Sequence, residues 1–283
     1  MMVMEHNALR ERGVTLVSLL IATLIGIFLV ATVIKVYLDS KESFRMRDLV
    51  AEVSENERFA IEEMRRVLIM AGRDILAMED QQADRRPFPP VETTANAGTG
   101  IVDGGTDDSD VIAVRYRRGP SCGGYLDIDI ACRPAEVRFM VQDGDLVCAQ
   151  TTYLDPNGSS CSTSPTTTTR TLISGVHRLK ALYGVDDDAD GFANRYLTAS
   201  QVEDDSLVSV PTGGASPWSR VVSIRFALLL SSESELPARY RQENEPNLEM
   251  FGLEIDPPDD AHLYRVVTGT LAFRNLNPII QRQ

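Results

Sequence analysis

The chain has 283 residues, of which 43% are hydrophobic and 24% are charged. These proportions are typical of a folded protein and exclude wholesale disorder, and the length accommodates one long helix and one β-rich domain. The net charge of −13 argues against a protein that binds nucleic acid by neutralising phosphates, because such binding needs a basic face. The cluster of Arg115, Arg117 and Arg118 is interpreted as a solvated strand face.

An apolar segment at residues 14–34 dominates the N-terminal part of the chain. It contains no charged residue and no histidine, and its polar side chains are hydroxyls that bond to carbonyls of their own helix. As a helix it is about 31 Å long, enough to cross a hydrocarbon core of roughly 30 Å. Because Arg10 and Arg12 precede it, we expect a single-pass inner-membrane protein with a cytoplasmic N-terminus and a periplasmic domain.

The apolar segment begins within the motif Arg12-Gly13-Val14-Thr15-Leu16. Together with the apolar run, this motif resembles the class III signal of type IV pilins and type II secretion pseudopilins. The resemblance implies that residues 1–13 are a leader, that a prepilin peptidase cuts after Gly13, and that Val14 becomes a methylated N-terminus. In that family a glutamate that pairs with a neighbour's terminal amine lies five residues after the cut. Here Ser18 takes its place, which implies a position outside the ordinary filament shaft.

A helical pattern continues through residues 35–78, interpreted as the periplasmic half of the same helix. No proline occurs between Val14 and Arg86, and apolar residues recur at helical spacing with charged residues on the other faces. The pattern predicts a helix that lays one stripe on a globular domain. A coiled coil is the alternative, but the heptads are not sustained.

Residues 79–283 are predicted to form a β-rich globular domain. Asp143-Gly144 is a two-residue hairpin signal between alternating segments, and residues 162–171 are interpreted as a threonine-rich linker. The expected fold class is therefore α+β, a long N-terminal transmembrane helix packed on an antiparallel sheet domain. The predicted strands occupy residues 110–117, 136–142, 145–150, 176–183, 220–230 and 264–274.

Four cysteines follow the apolar segment, and an even number beyond an export segment favours disulfides in an oxidising periplasm. None of them forms a CxxC pair, so a zinc site has little support. Four cysteines allow three pairings. We expect Cys122–Cys132 and Cys148–Cys161, because each of these pairs closes a short loop rich in turn residues.

An acidic stretch at residues 186–194 follows the spacing of a calcium loop, with carboxylates at the first, third and fifth positions and glycine at the sixth. Leu197 stands where a bidentate glutamate would complete such a site, and no helix pattern precedes it. An acidic turn without a metal is therefore the alternative, and no cofactor is required. The expected calcium ligands are Asp186, Asp188, Asp190, the Phe192 carbonyl and Asn194.

Two further regions resemble the PilW family of minor pilins. One is the end of the helical pattern, where Glu55-Asn56-Glu57-Arg58-Phe59-Ala60 begins a stretch that reaches Asp74. The other comprises C-terminal blocks that include Leu182-Tyr183-Gly184-Val185-Asp186 and Phe273-Arg274-Asn275. The resemblance implies a minor pilin that helps initiate pilus assembly in a tip complex and then reaches the cell surface. Its implied partners are other minor pilins, the major pilin, the inner-membrane assembly machinery, the prepilin peptidase and a tip adhesin.

Two other functions remain as alternatives. A minor pseudopilin of a type II secretion system shares the leader and the architecture, and only the C-terminal blocks favour the pilus. A membrane-anchored periplasmic hydrolase is a remote alternative, because the sequence contains no G-x-S-x-G, no H-E-x-x-H and no phosphate-binding glycine loop. We therefore expect a protein that is not an enzyme.

Overall fold

The structure, a computed structural model, describes residues 15–75, 86–92, 100–106, 108–155, 160–204, 206–208, 216–241, 248–258 and 261–276. The chain divides into two compact units, Met1–Asp48 and Leu49–Gln283. In the first unit the described residues belong to the N-terminal part of one long helix. The second unit contains the rest of that helix and all the described strands, so the predicted α+β class is confirmed.

Within the described residues, no long helix lies between the strands. The helices and strands are α1 (Leu16–Leu68), β1 (Val91–Glu92), β2 (Ile101–Val102), β3 (Ile112–Tyr116), β4 (Arg118–Pro120), β5 (Tyr125–Asp127), β6 (Ala135–Gln142), β7 (Asp145–Leu154), β8 (Cys161–Ser174), β9 (Val176–Val185), β10 (Arg195–Leu197), α2 (Ala199–Glu203), β11 (Val221–Glu235), β12 (Leu248–Met250), β13 (Leu253–Ile255) and β14 (His262–Ala272). Short 3-10 turns occupy Pro217–Arg220, Ala238–Tyr240 and Arg274–Leu276.

Two four-stranded antiparallel sheets form the body of the second unit. One has the strand order β3-β6-β7-β8, and the other has the order β10-β9-β11-β14. In the second sheet Phe226 of β11 lies between Ala181 of β9 and Gly269 of β14. Gly269 leaves room for that ring, since a Cβ atom there would come within 2.4 Å of it.

One stripe of α1 is buried within the second unit, as its apolar spacing predicts. These helix residues share one hydrophobic core with residues of both sheets, such as Val114 and Leu228. The buried stripe consists of Leu49, Val53, Ala60, Met64, Val67 and Leu68.

Helix α1 ends at Leu68, earlier than the predicted end at residue 78. Gly72 adopts a left-handed conformation with φ of +75°, and a Cβ atom there would lie 2.3 Å from Leu276. Its N–H donates to the carbonyl of Arg115 at 2.9 Å, so the chain leaves the helix to bond with β3. The side-chain amide of Asn275 donates to the carbonyls of Ile69 and Ala71 at 3.1 and 3.3 Å. These contacts with distant segments end the helix, and the local apolar pattern does not show them.

The predicted hairpin at Asp143-Gly144 is confirmed, because Gln142 of β6 pairs with Asp145 of β7 across it. The predicted linker at residues 162–171 is wrong, because those residues lie within β8 and residues 166–171 pair with β7. Threonine is β-branched and fits a pleated strand. The repetitive composition indicated a linker, whereas the side-chain shape favours a strand.

Candidate functional site

The first candidate site is the apolar part of α1. Among the described residues, α1 is the one helix long and apolar enough to cross a membrane. Its most apolar stretch contains no buried residue. Large side chains such as Leu16, Ile27 and Phe28 are more than 70% exposed. Such a surface requires either lipid or other apolar helices around it.

The start of this helix contains the position that lacks the expected carboxylate. The Ser18 hydroxyl donates to the Thr15 carbonyl at 2.8 Å, and the Ser18 N–H lies 3.4 Å from the Thr15 hydroxyl oxygen. The neutral side chain of Ser18 therefore bonds locally, to the residue just before α1. Gly13 and Val14, the predicted processing residues, lie outside the described residues.

The four cysteines form two disulfides, but the expected pairing is wrong. The observed pairs are Cys122–Cys148 and Cys132–Cys161, with Cα atoms 5.6 and 5.2 Å apart. Both disulfides therefore join the segment around β4 and β5 to the hairpin of β7 and β8.

The β7–β8 register explains why Cys148 and Cys161 do not pair. Cys148 lies opposite Arg170, and Cys161 lies opposite Leu154. Six positions of β7 separate these two points, which is about 20 Å at 3.4 Å per residue. A disulfide requires Cα atoms within about 7 Å. The expectation considered only sequence distance, whereas strand pairing decides which cysteines meet.

The acidic loop brings three of the predicted calcium ligands together. One carboxylate oxygen from each of Asp186, Asp188 and Asp190 lies within 4.8 Å of the others. Asp188 and Asp190 are exposed, whereas Asp186 is 1% exposed. Three carboxylates this close repel one another, and a cation would relieve that repulsion.

Hydrogen bonds within this loop also give Asp186 a structural role. Its carboxylate accepts backbone N–H groups from Ala189 at 2.6 Å, Asp190 at 3.3 Å and Gly191 at 2.8 Å. These bonds close the turn, and they satisfy much of the acceptor capacity that a metal would use.

The other two predicted ligands are placed differently. The Asn194 side-chain oxygen accepts the Asp187 N–H at 2.7 Å. The Phe192 ring is 75% exposed, and its N–H donates to Asp190 at 2.8 Å. The loop thus fits a weak cation site formed mainly by its exposed carboxylates.

The interpretation of Arg115 and Arg117 as a solvated face is wrong. They are 7% and 1% exposed. Arg115 donates to one carboxylate oxygen of Glu136, Oε2, from Nε at 3.0 Å and from Nη2 at 2.7 Å. Arg117 donates to the carbonyls of Asp129 and Cys132. Arg118 is the exposed member, and it pairs with Asp127 at 3.1 Å. The sequence showed alternation in this segment but not that both faces of β3 are buried.

Sequence reasoning also missed a sheet edge. Strand β8 is the last strand of its sheet, and every residue from 163 to 171 is exposed. The sequence did contain a signal for this strand, a run of β-branched residues after the hairpin at Asp143-Gly144.

The profile of the PilW family, described as Type IV Pilus-assembly protein W, matches residues 138–275, just under half of the chain. The comparison with curated proteins gave no match. A solved type IV-like pilin from Thermus thermophilus matches with 15% identity and a TM-score of 0.40, over 82% of this chain and 98% of that one. The family profile runs from within β6 to just past the end of β14, and this match supports a PilW-type pilin.

Proposed function

We propose that this chain is a minor pilin that helps initiate type IV pilus assembly in a tip complex, and that it acts by assembly rather than by catalysis. The observation that carries the proposal is the exposed apolar part of α1 in a chain of the PilW family. A helix of this kind acts in two successive steps. It first anchors the subunit in a membrane, and it then packs against other apolar helices when the subunit enters a filament.

The membrane step concerns the inner membrane, with the N-terminus in the cytoplasm. Arg10 and Arg12 support this orientation, since positive residues favour the cytoplasmic side. The disulfides of the second unit support a periplasmic location for it, because disulfides persist in oxidising compartments.

In the filament step, the subunit takes a position at the tip. A subunit within the shaft needs a carboxylate near its N-terminus to pair with a neighbour's amine, as the family resemblance implies. Ser18 offers only a hydroxyl, which donates to the carbonyl of Thr15, the residue just before α1. Apolar packing with other minor pilins, and then with the major pilin, remains as the force that holds the subunit. A position at the end of the filament requires fewer such partners than a position inside it.

The experiment is deletion of the gene, with surface pili counted by electron microscopy. We expect far fewer pili, with an unchanged shaft in those that remain, and restoration by the wild-type gene. Antibody labelling of the epitope-tagged chain should mark filament ends. Labelling spread evenly along the shaft would contradict the tip position, and an unchanged pilus number would contradict the role in initiation.

A pseudopilin of a type II secretion system is the rival function, because it would use the same apolar helix. The same deletion separates the two. Loss of pili with normal enzyme secretion supports the pilus, whereas loss of secretion with normal pili supports the secretion system.

We also propose that the acidic loop binds calcium weakly. The convergence of Asp186, Asp188 and Asp190 within 4.8 Å supports this, and hard oxygen ligands suit calcium better than zinc. Without a bidentate glutamate, the dissociation constant should fall in the range of about 10⁻⁴–10⁻³ M found for extracellular modules.

A further inference from the structure

Strand β6 carries a buried arginine, Arg138, whose donors are not satisfied within the described part of the chain. Arg138 is 5% exposed, and neither its Nε nor its Nη1 has a hydrogen-bond partner among the described residues. Burial lowers the pKa of Arg138, and the charge of Glu136 offsets this effect only in part. The guanidinium group still carries its charge at neutral pH. A buried charge without hydrogen bonds is unfavourable, so an anion beside Arg138 would stabilise the fold.

The carboxylate of Glu136 is engaged elsewhere, although it lies on the same face of the sheet two positions earlier in β6. Its Oε2 accepts two N–H groups of Arg115, and its Oε1 accepts the Gly100 N–H at 2.6 Å. The side chains of Arg115 and Glu136 are both buried, as is that of Arg138. This face of the first sheet therefore brings two buried guanidinium groups to one buried carboxylate.

Short side chains flank Arg138 across the sheet. Ala113 of β3 and Ala149 of β7 are its direct neighbours in the paired strands, and Thr169 of β8 lies opposite Ala149. These residues share one face, because directly opposite residues of antiparallel strands lie side by side on the same side of the sheet. Both alanines are buried, whereas Thr169 is exposed. The row therefore places a guanidinium group beside methyl groups and reaches solvent at β8.

We propose that Arg138 binds a small oxyanion of the phosphate or carboxylate class beside Ala149, with the Thr169 hydroxyl as a second donor. The planar guanidinium group suits such ligands, since its parallel N–H groups match a pair of oxygens. The ligand is small, because Arg138 lies in the interior of the protein. Its negative charge balances the second guanidinium group of this face.

Thermal unfolding of the full-length chain in detergent tests the site, with sodium phosphate, sodium acetate and sodium chloride compared at equal ionic strength. Binding to the folded state alone raises the Tm. We expect a Tm about 2–4 °C higher in at least one of the two oxyanions than in chloride. A shift in phosphate alone identifies a phosphate ligand, and a shift in acetate alone identifies a carboxylate. Equal Tm values in all three salts, as expected if only water contacts Arg138, would overturn the proposal.

Arg138→Met separates binding from the general effect of the salts, because phosphate also stabilises proteins by exclusion from their surface. The substitution keeps an apolar stem and removes both the charge and the donors. It should lose the part of the shift that depends on the site. Arg118→Met, at an exposed arginine, is the matched control and should keep the whole shift. The same shift in Arg138→Met as in the wild type would contradict the proposal.

Calorimetric titration with the same oxyanion gives a second test on variants that keep the charge of the site. Arg138→Lys lacks the forked donors and should bind several-fold more weakly than the wild type. Thr169→Val removes the hydroxyl but keeps the β-branched shape, and it should also bind several-fold more weakly. Thr169→Ser is its matched control and should bind as the wild type does. No heat of binding in the wild type, or equal affinities in the wild type, Arg138→Lys and Thr169→Val, would overturn the proposal.

Discussion

Asp110 and Lys180 form a buried ion pair that joins the two sheets, with Nζ and Oδ1 3.0 Å apart. Asp110 lies just before β3, and its N–H donates to the Leu179 carbonyl of β9 at 2.8 Å. Its carboxylate also accepts the Ala181 N–H at 2.7 Å. Burial raises the pKa of Asp110, although Lys180 and backbone N–H groups favour the carboxylate. The pair therefore fixes the first sheet to β9, although removing its two charges from water is unfavourable.

Lys180→Met should destabilise the fold strongly, because it leaves the Asp110 carboxylate buried without its cation. We expect a loss of about 3–5 kcal/mol in the free energy of unfolding, the usual cost of breaking a buried pair. Adding Asp110→Asn should cost less than the sum of the two single changes. Urea unfolding followed by circular dichroism measures all three variants.

The exposed pair of Arg118 and Asp127 provides the control for that experiment. Their side chains are 52% and 64% exposed, and solvent screens their attraction. Arg118→Met should change stability little. Equal effects from the two substitutions would show that burial of the Asp110–Lys180 pair has no special role.

The disulfide pairing gives a prediction for peptide mapping. Non-reducing digestion should yield one linked peptide with Cys122 and Cys148 and another with Cys132 and Cys161, without free thiols. Removing either disulfide with paired serine substitutions should cost about 3.5 kcal/mol in the chain-entropy model, since the two loops are of similar length. A linked peptide with Cys122 and Cys132 would contradict the structure.

Much of this fold follows from local sequence patterns. The buried stripe of α1 follows from apolar spacing, and the β6–β7 hairpin follows from Asp143-Gly144, because both signals act within a few residues. The family blocks near Tyr183 and Phe273 also lie within or beside strands that form the second sheet and its core.

The remaining features depend on residues far apart in the chain. Gly72 ends the helix by bonding to Arg115, and Cys161 meets Cys132 because β8 pairs with β7. The partner of Lys180 lies 70 positions away. In the acidic loop, the spacing predicted the convergence of carboxylates but not that Asp186 is buried as the acceptor that closes the turn.

The calcium proposal is tested by thermal unfolding in millimolar calcium. We expect a higher Tm with calcium than with chelator, because binding to the folded state alone stabilises it. Asp188→Asn with Asp190→Asn should abolish the shift while keeping the turn. Asp186→Ala is unsuitable as the test, since it removes three backbone hydrogen bonds whether or not calcium binds. An unchanged Tm, together with no heat of binding in calorimetry, would leave the loop as an acidic turn.

Ser18→Glu should be tolerated, because the Ser18 side chain bonds only within the first turn of its own helix in the described structure. We expect a normal number of surface pili in cells that carry this variant, with Ser18→Ala as the control for loss of the hydroxyl. A loss of pili in the Glu variant alone, with the protein still present in membranes, would show that the position must remain neutral.

The central claim, that this chain is processed and assembled as a pilin, is tested most directly by mass spectrometry of its N-terminus. The protein should be purified from cells with and without an active prepilin peptidase. With the peptidase, we predict a mature chain that begins at a methylated Val14, and without it a chain that retains residues 1–13. A chain that keeps Met1 in both strains, or one cut after residue 34 so that the apolar helix is lost, would contradict the account.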